Sequence, residues 1–557
     1  MGLAVGALVG AAPSWAQTAP SAGVLQQQIE RERELGTAPR LPVKPQPETL
    51  TALPPAGPTV VVKSFNFEGN TLLSKAELDA LLAPLLNRPL DFAQLQSSAL
   101  RVADAYRAQG WVVNAFLPGQ ELPSGEVTLR IEEAVFGKTL FNGQPAQRVA
   151  SQNIEAIFER QQPAGAFLNL NALDRALLLA DDLPGVTVSG SMAPGALNGQ
   201  TDLVLALSDE ALLAGNVSSD NTGSVSTGVN RVSAALNLNS PARWGDALSL
   251  NLMASAGTRY VRLGYSVPLG SDGWRLSVNA SRLNYELVSD VYKDLNAKGD
   301  ANSAGLELSY PLVRTRSLNL NTSLSADRKD YFNTSGGATT STYRAIPVTL
   351  AANASVLDSL GGGGANAASL ALTLGSLDLN GSPTQASDAS STQTEGHYQK
   401  LRYNISRQQQ IVPGWSFYGA LSGQWANKNL DSSEKFYLGG SAGVRAYPGS
   451  EGGGAWGHQA NLELRWQLAQ GVNVAGFYDY GHITINPNND FAGAATLNSY
   501  ALKGAGVSLG WQNATGLSLK ATLARRAGSN PNPSSTGSDQ DGTLKINRAW
   551  FTAALPF

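Results

Sequence analysis

Asn461-Leu462-Glu463-Leu464-Arg465-Trp466-Gln467-Leu468 alternates without interruption. In an extended chain successive side chains point to opposite faces. Leu462, Leu464, Trp466 and Leu468 therefore share one face, and Asn461, Glu463, Arg465 and Gln467 the other. The same period runs through the neighbouring sequence. Leu248, Leu250, Leu252 and Ala254 alternate with Ser249, Asn251 and Met253. Val261, Leu263, Tyr265 and Val267 alternate with Arg262, Gly264 and Ser266. Trp274, Leu276 and Val278 alternate with Arg275, Ser277 and Asn279, and Leu517, Leu519, Ala521 and Leu523 with Ser518, Lys520 and Thr522. Residues 211–557 contain no convincing amphipathic helix. They read as β-structure with one apolar face and one face that takes full charges.

Two architectures give that pattern. A soluble sandwich buries its apolar face, whereas a membrane barrel turns it to lipid and encloses the polar one. Size favours the barrel: the region allows about 22 residues per strand and loop for 16 strands, which suits membrane strands of roughly 10 residues. Eight of the ten tryptophans lie from Trp244 onward, as interfacial girdles would place them. Ala549, Phe551, Ala553, Leu555 and Phe557 alternate, with Trp550 on the other face. That ending resembles the signal read by the bacterial barrel-assembly machinery. Phe557 is thus the expected assembly signal, and the machinery an expected partner during biogenesis. The expected fold is a transmembrane β-barrel of about 16 antiparallel strands, contacting outer-membrane lipid. A surface adhesin with a soluble β domain is the alternative of another class.

Composition agrees. Among 557 residues, 40 Lys+Arg nearly balance 43 Asp+Glu, which argues against a nucleic-acid partner. Charged residues make up 15% of the chain, where soluble domains average about 25%. There is no cysteine, so thiolate metal sites and Cys nucleophiles are excluded. His397, His458 and His482 are the only histidines, and no metal site or cofactor is expected. Residues 1–16, small and apolar up to Ser14 and Ala16, read as a signal peptide cut after Ala16. No positive segment precedes it, so the expected natural start lies upstream. No later run approaches the roughly 18 apolar residues of a spanning helix.

Between the signal and the barrel lie three regions. Residues 17–36 hold a mostly polar helix, Val24–Leu35, ending at Gly36. Such a helix suits a water-filled lumen or stays disordered. Residues 37–58 carry seven prolines and form an extended linker. Residues 59–134 and 135–210 each read β-α-α-β-β, two tandem copies of one α+β domain. In the first copy Ser74-Lys-Ala-Glu77 is a capping box, and Phe92, Leu95, Ala99, Val102 and Tyr106 line one face of a helix over Asp91–Gln109.

The chemical motifs are decoys. Gly439-Gly-Ser441-Ala-Gly443 and Gly506-Val-Ser508-Leu-Gly510 match G-x-S-x-G, but neither precedes the helix a nucleophile elbow needs. Gly452-Gly-Gly454-Ala-Trp-Gly457 likewise lacks the helix of a dinucleotide site. Gly137-Lys138-Thr139 mimics the end of a P-loop, but Glu132 stands in place of its leading glycine. No catalytic residue and no nucleotide partner is expected.

Two clusters carry a resemblance. Val444-Arg445-Ala446-Tyr447, followed by Pro448-Gly449, resembles the V-R-G-Y loop motif of the two-partner secretion transporters, the TpsB family of haemolysin and filamentous-haemagglutinin type. Ala446 stands where that family usually has glycine. Phe477-Tyr478-Asp479-Tyr480-Gly481 resembles its F-x-D-x-G strand motif. Asp220–Gly223 with Thr227-Gly228 looks like its first barrel strand, and Tyr310-Pro311-Leu312 recurs there too. The resemblance covers nearly the whole chain and implies that 17–36 is a plug helix and the tandem domains are periplasmic POTRA domains. It implies a loop folded into the pore by an Arg445–Asp479 ion pair. It also implies ATP-free export of a large β-rich exoprotein across the outer membrane of a Gram-negative bacterium. POTRA domains would capture that partner by strand addition. In the first domain the open edge is Val112-Val113-Asn114-Ala115-Phe116-Leu117. An outer-membrane assembly factor of the same superfamily is the alternative.

Overall fold

The computed structural model describes residues 20–35, 59–122, 124–143, 146–290 and 292–557. The expected signal peptide and proline-rich linker lie outside the described residues.

Sixteen antiparallel strands close into a barrel, from Leu213–Asp220 to Asn547–Pro556. Each strand pairs with its successor in the barrel. The seam joins Asn216–Asp220 to Thr552–Pro556. Closure leaves no free edge, as lipid demands. Leu263, Leu306, Leu350, Leu374, Leu464 and Leu523 are exposed on the outer wall, which is where an apolar face belongs when the solvent is lipid. The soluble-sandwich alternative is thereby excluded. Trp274, Trp415, Trp466 and Trp511 stand at the periplasmic ends of their strands and Trp425 and Trp456 at the outer ends. Trp550 turns inward and is buried. Among the described residues no helix is long and apolar enough to cross a membrane.

Below the barrel, two modules repeat one topology. In the first, Ser64–Glu68 runs parallel to the central strand Glu126–Glu133, and Val113–Phe116 flanks that strand antiparallel. Helices α2 (Lys75–Leu82) and α3 (Phe92–Ala108) cover the sheet, each opened by a capping box, Ser74/Glu77 and Asp91/Gln94. Phe65, Leu78, Leu95, Val102, Tyr106 and Leu129 form the core. In the second module, Val135–Asn142, Gln200–Asp209 and Val186–Pro194 take the same three places. They are covered by α4 (Ser151–Gln161) and α5 (Leu170–Asp181). The start of the first module is broken: Val60–Val61 turns away from Ser64–Glu68 to pair with Pro89–Leu90.

The second module sits on the periplasmic turns. Asp182 pairs with Arg314 at 2.7 Å and Asp174 with Arg316 at 2.7 Å. Arg175 lies over the Tyr310 ring, so the Tyr310-Pro311 segment is a docking point at a bulge of its strand. The segment expected as the first barrel strand divides differently. Asp220 ends the strand, and residues 221–230 form the first outer loop, because Thr222 and Ser226 turn the chain through side-chain bonds to Asp220 and Ser224.

Helix α1 (Ala22–Leu35) lies inside the barrel. Ala22 and Leu25 pack among Tyr260, Tyr285, Tyr331 and Tyr343 of the inner wall. Glu32 meets Arg231 at 2.8 Å and Glu30 meets Lys329 at 3.3 Å. The disordered reading of this helix is set aside. Its few apolar residues suffice for one aromatic niche, and its charges find charges on the wall.

Candidate functional site

The strand Val472–Thr484 alternates faces, so Ala475, Phe477, Asp479, Gly481 and Ile483 turn inward and are buried. Its neighbour, Trp456–Ala469, turns Gln459, Asn461, Glu463 and Arg465 inward. Between the strands Trp415–Ala426 and Trp456–Ala469 the chain makes a long outer loop, 427–455, that folds back into the pore. A two-residue ladder, Phe436–Tyr437 with Gly453–Gly454, forms its neck.

At the loop tip Arg445 grips Asp479. Its Nε donates to Oδ2 at 2.9 Å and its Nη2 to Oδ1 at 2.7 Å, a bidentate pair. The Arg445 backbone N–H donates to the same Oδ2 at 3.0 Å. Asn461 Nδ2 donates to Asp479 Oδ1 at 2.8 Å and to the Gly443 carbonyl at 3.0 Å. The remaining arm of Arg445 reaches Glu463 at 2.7 Å, and its guanidinium lies 3.5 Å from the Phe477 ring centroid. Trp550 Nε1 donates to the Arg445 carbonyl at 2.8 Å. Asp479 is fully buried and Arg445 nearly so.

The rest of the motif is steric. Val444, Ala446 and Tyr447 are buried among Phe477, Ile483, Tyr500 and Leu502. A Cβ on Gly481 would stand 2.8 Å from Leu438 and 3.2 Å from Val444, so the strand glycine lets the loop seat. Ala446 adopts no left-handed backbone, and its methyl faces Gly504, where a Cβ would stand 2.6 Å away. An alanine fits at this position because the wall opposite lacks a side chain. Pro448 O lies 2.0 Å from where a Cβ of Gly439 would be, which assigns that decoy glycine a packing role. Gly449 approaches Gln28 of α1. Arg31 of the same helix donates to the Tyr437 carbonyl and, at 3.0 Å, to Gln459. Helix and loop are therefore in direct contact.

Sequence reasoning missed a second set of anchors. The outer loop 527–546 lies against loop 427–455. Both carboxylate oxygens of the fully buried Glu451 are held by it, from Asn530 Nδ2 at 2.8 Å and the Gln540 N–H at 2.8 Å. Arg526 lies over Tyr447 at 4.5 Å and pairs with Asp539. Arg548 joins Asp539 and Asp541, each at 3.0 Å. Glu463 was legible only as one charged position of an alternating strand. Nothing local marks Glu451 or Asp539.

The expected edge of the first module is shorter than Val112–Leu117, because the strand covers Val113–Phe116. The Val112 N–H donates to Leu168 of the second module at 3.1 Å, so the junction occupies that end. Below the sheet, Tyr106 donates to Glu133 at 3.0 Å. Burial and that carboxylate push the Tyr106 phenol up. Burial alone would raise Glu133, but bonds from the Thr71 hydroxyl, the Leu72 and Thr71 N–H groups and Tyr106 outweigh it and hold the carboxyl below its usual value. Phe557 pairs with Gly215 through two backbone bonds of 2.9 Å and completes the seam. His458 and His482 face outward with ring centroids 5.4 Å apart, and no cluster suited to a metal occurs among the described residues.

A family model described as haemolysin secretion/activation protein ShlB/FhaC/HecB matches residues 199–512, and one described as POTRA domain, ShlB-type, matches 60–134. The heme/hemopexin transporter protein HuxB of Haemophilus influenzae is 26% identical over 463 residues, 82% of this chain and 81% of that protein. The outer membrane transporter CdiB of Dickeya dadantii is 25% identical over 460 residues, 79% of each. The solved structure of CdiB from Escherichia coli shares the fold with a TM-score of 0.74 at 20% identity, covering 97% of this chain and 100% of that one. This chain belongs to the ShlB/FhaC/HecB family of haemolysin secretion/activation proteins, outer-membrane β-barrels with periplasmic POTRA domains.

Proposed function

We propose that the protein translocates one large, β-rich exoprotein from periplasm to cell surface, without ATP. The observation that carries this reading is the occupied lumen. Loop 427–455 is pinned to the wall by Arg445 and Asp479, and α1 fills the space beside it. A channel for passive diffusion has no use for either, nor for two periplasmic modules. A barrel-inserting factor makes no use of α1. The unfolded partner adds as a strand to the open edge at Val113–Phe116, where backbone groups lack a neighbour. It then passes through the barrel once helix and loop give way, and folding outside draws it forward. Relatives named for heme/hemopexin transport and as outer membrane transporters fit the same class of activity.

The test is Arg445→Ala in cells that also make an exoprotein the unaltered protein exports. Surface exoprotein should fall at least tenfold while the barrel still assembles. Near-normal secretion would reject the role of the pair.

A further inference from the structure

We propose that the outer wall at Arg259 and Arg282 binds a phosphorylated, acylated glycolipid of the outer leaflet, with a phosphate on the two guanidinium groups and an acyl chain in the groove beside them. The first barrel strand leaves the periplasmic modules, so it runs outward, and the loops at 221–230, 255–257 and 287–297 lie on the cell surface. Arg259 stands one residue inside the second of these loops, opposite Asn284. It shares its face with the lipid-exposed Val261 and Leu263, while Arg262 points to the lumen side. Arg282 pairs with Val261 on the next strand and shares the outward face of Val278. The two guanidiniums thus project side by side, toward lipid, at the height of the outer headgroups.

Beside them, on the preceding strands, lies a shallow groove of about 470 Å³ whose floor is Val232, Ala234, Leu252 and Val261, with Val232 in register with Arg259 and the other three with Arg282. An apolar floor with a cationic rim is the complement of an anionic lipid. Charge balance supports it. Asp330 already accepts from Arg328 at 2.8 Å and Arg344 at 2.7 Å. Asp300 accepts from Asn302 at 2.8 Å. Arg282 has only Asn284, at 3.2 Å through Nε, and among the described residues no carboxylate pairs with Arg259 or Arg282. Two guanidiniums held without a carboxylate, next to a membrane, are matched by phosphate, which takes arginine bidentately. The outer leaflet of such a membrane is built from a multi-acylated sugar bearing phosphates. That single source supplies both the anion and the chain, and this is the occupant we assign.

The test uses the purified full chain in nanodiscs of neutral lipid, with fluorescent bis-phosphorylated lipid A as probe. The Arg259→Gln/Arg282→Gln variant should bind about thirtyfold more weakly, each cation near the surface contributing about fivefold. Monophosphoryl lipid A should bind the unaltered protein more weakly than the bis-phosphorylated form, a readout that stands even if the double variant fails to assemble. Equal binding by protein and variant, or phosphatidylglycerol binding as tightly as lipid A, overturns the assignment.

Discussion

Asp479 receives donors from Arg445 N, Nε and Nη2 and from Asn461 Nδ2, and it is fully buried. A buried carboxylate satisfied in this way is stable only while its cation stays. Removing one partner of such a pair costs about 3–5 kcal/mol, because the other charge is left buried. In the Arg445→Ala variant that cost falls on the docked loop, while Glu463 keeps Arg465 as its partner on the wall, so the loop leaves the wall and the barrel does not unfold. Glu133 allows a second test at this scale. Its folded value is depressed, so its contribution is complete above the unfolded value of about 4.3 and is lost as pH falls through the folded one. Glu133→Gln should destabilise the first module by about 1 kcal/mol at pH 7. The difference from the unaltered protein should shrink as pH is lowered below about 4. The helical circular dichroism signal in urea reads it, since among the described residues the helices longer than five residues, α1 apart, lie in the modules. A pH-independent difference would deny Glu133 the role. Of these residues, Arg445 and Asp479 were legible because each sits in a dense local motif. Glu463, Asn461 and Trp550 were not, because their parts exist only once three separated segments meet.

At the scale of elements, α1 is held by charge. Its apolar contacts in the aromatic niche come from Ala22, Leu25 and Ile29, while Glu30, Arg31 and Glu32 bind opposite walls. Deleting 21–35 should raise single-channel conductance severalfold in planar bilayers, and unchanged conductance would show that the helix does not obstruct the pore. The polar composition of this segment made it a lumen occupant or a disordered tail. The choice between them was hidden because the wall charges that hold it lie about 200 to 300 residues away. The free edge of the first module gives a third test. Val112 O accepts from Ala134 N, so by antiparallel alternation Asn114 and Phe116 continue the ladder while Val113 and Ala115 aim their N–H groups at the open side. Ala115→Pro removes an outward donor and no ladder bond. Export should fall several-fold with the module still folded. Unaltered export would place capture elsewhere.

For the whole molecule, closure is the governing fact. The sealed cylinder should migrate faster on a detergent gel before boiling than after, and migration indifferent to heat would contradict it. Barrel and module order were legible because period-2 alternation and the β-α-α-β-β repeat are local signals summed over many residues. The paths of the loops were not. Segments 427–455 and 527–546 are rich in Gly and Ser, and their packing against each other through Glu451, Asn530 and Gln540 depends on the curvature of the finished wall.

The seating of α1 bears on more than transport. A conduit wide enough for a polypeptide would also admit bile salts and bulky antibiotics. Here the barrier against them joins the ion pairs of α1 to its aromatic niche and to the docked loop. The tightness of the envelope around this protein therefore rests in part on half-sheltered charges, which brine screens far less than exposed ones.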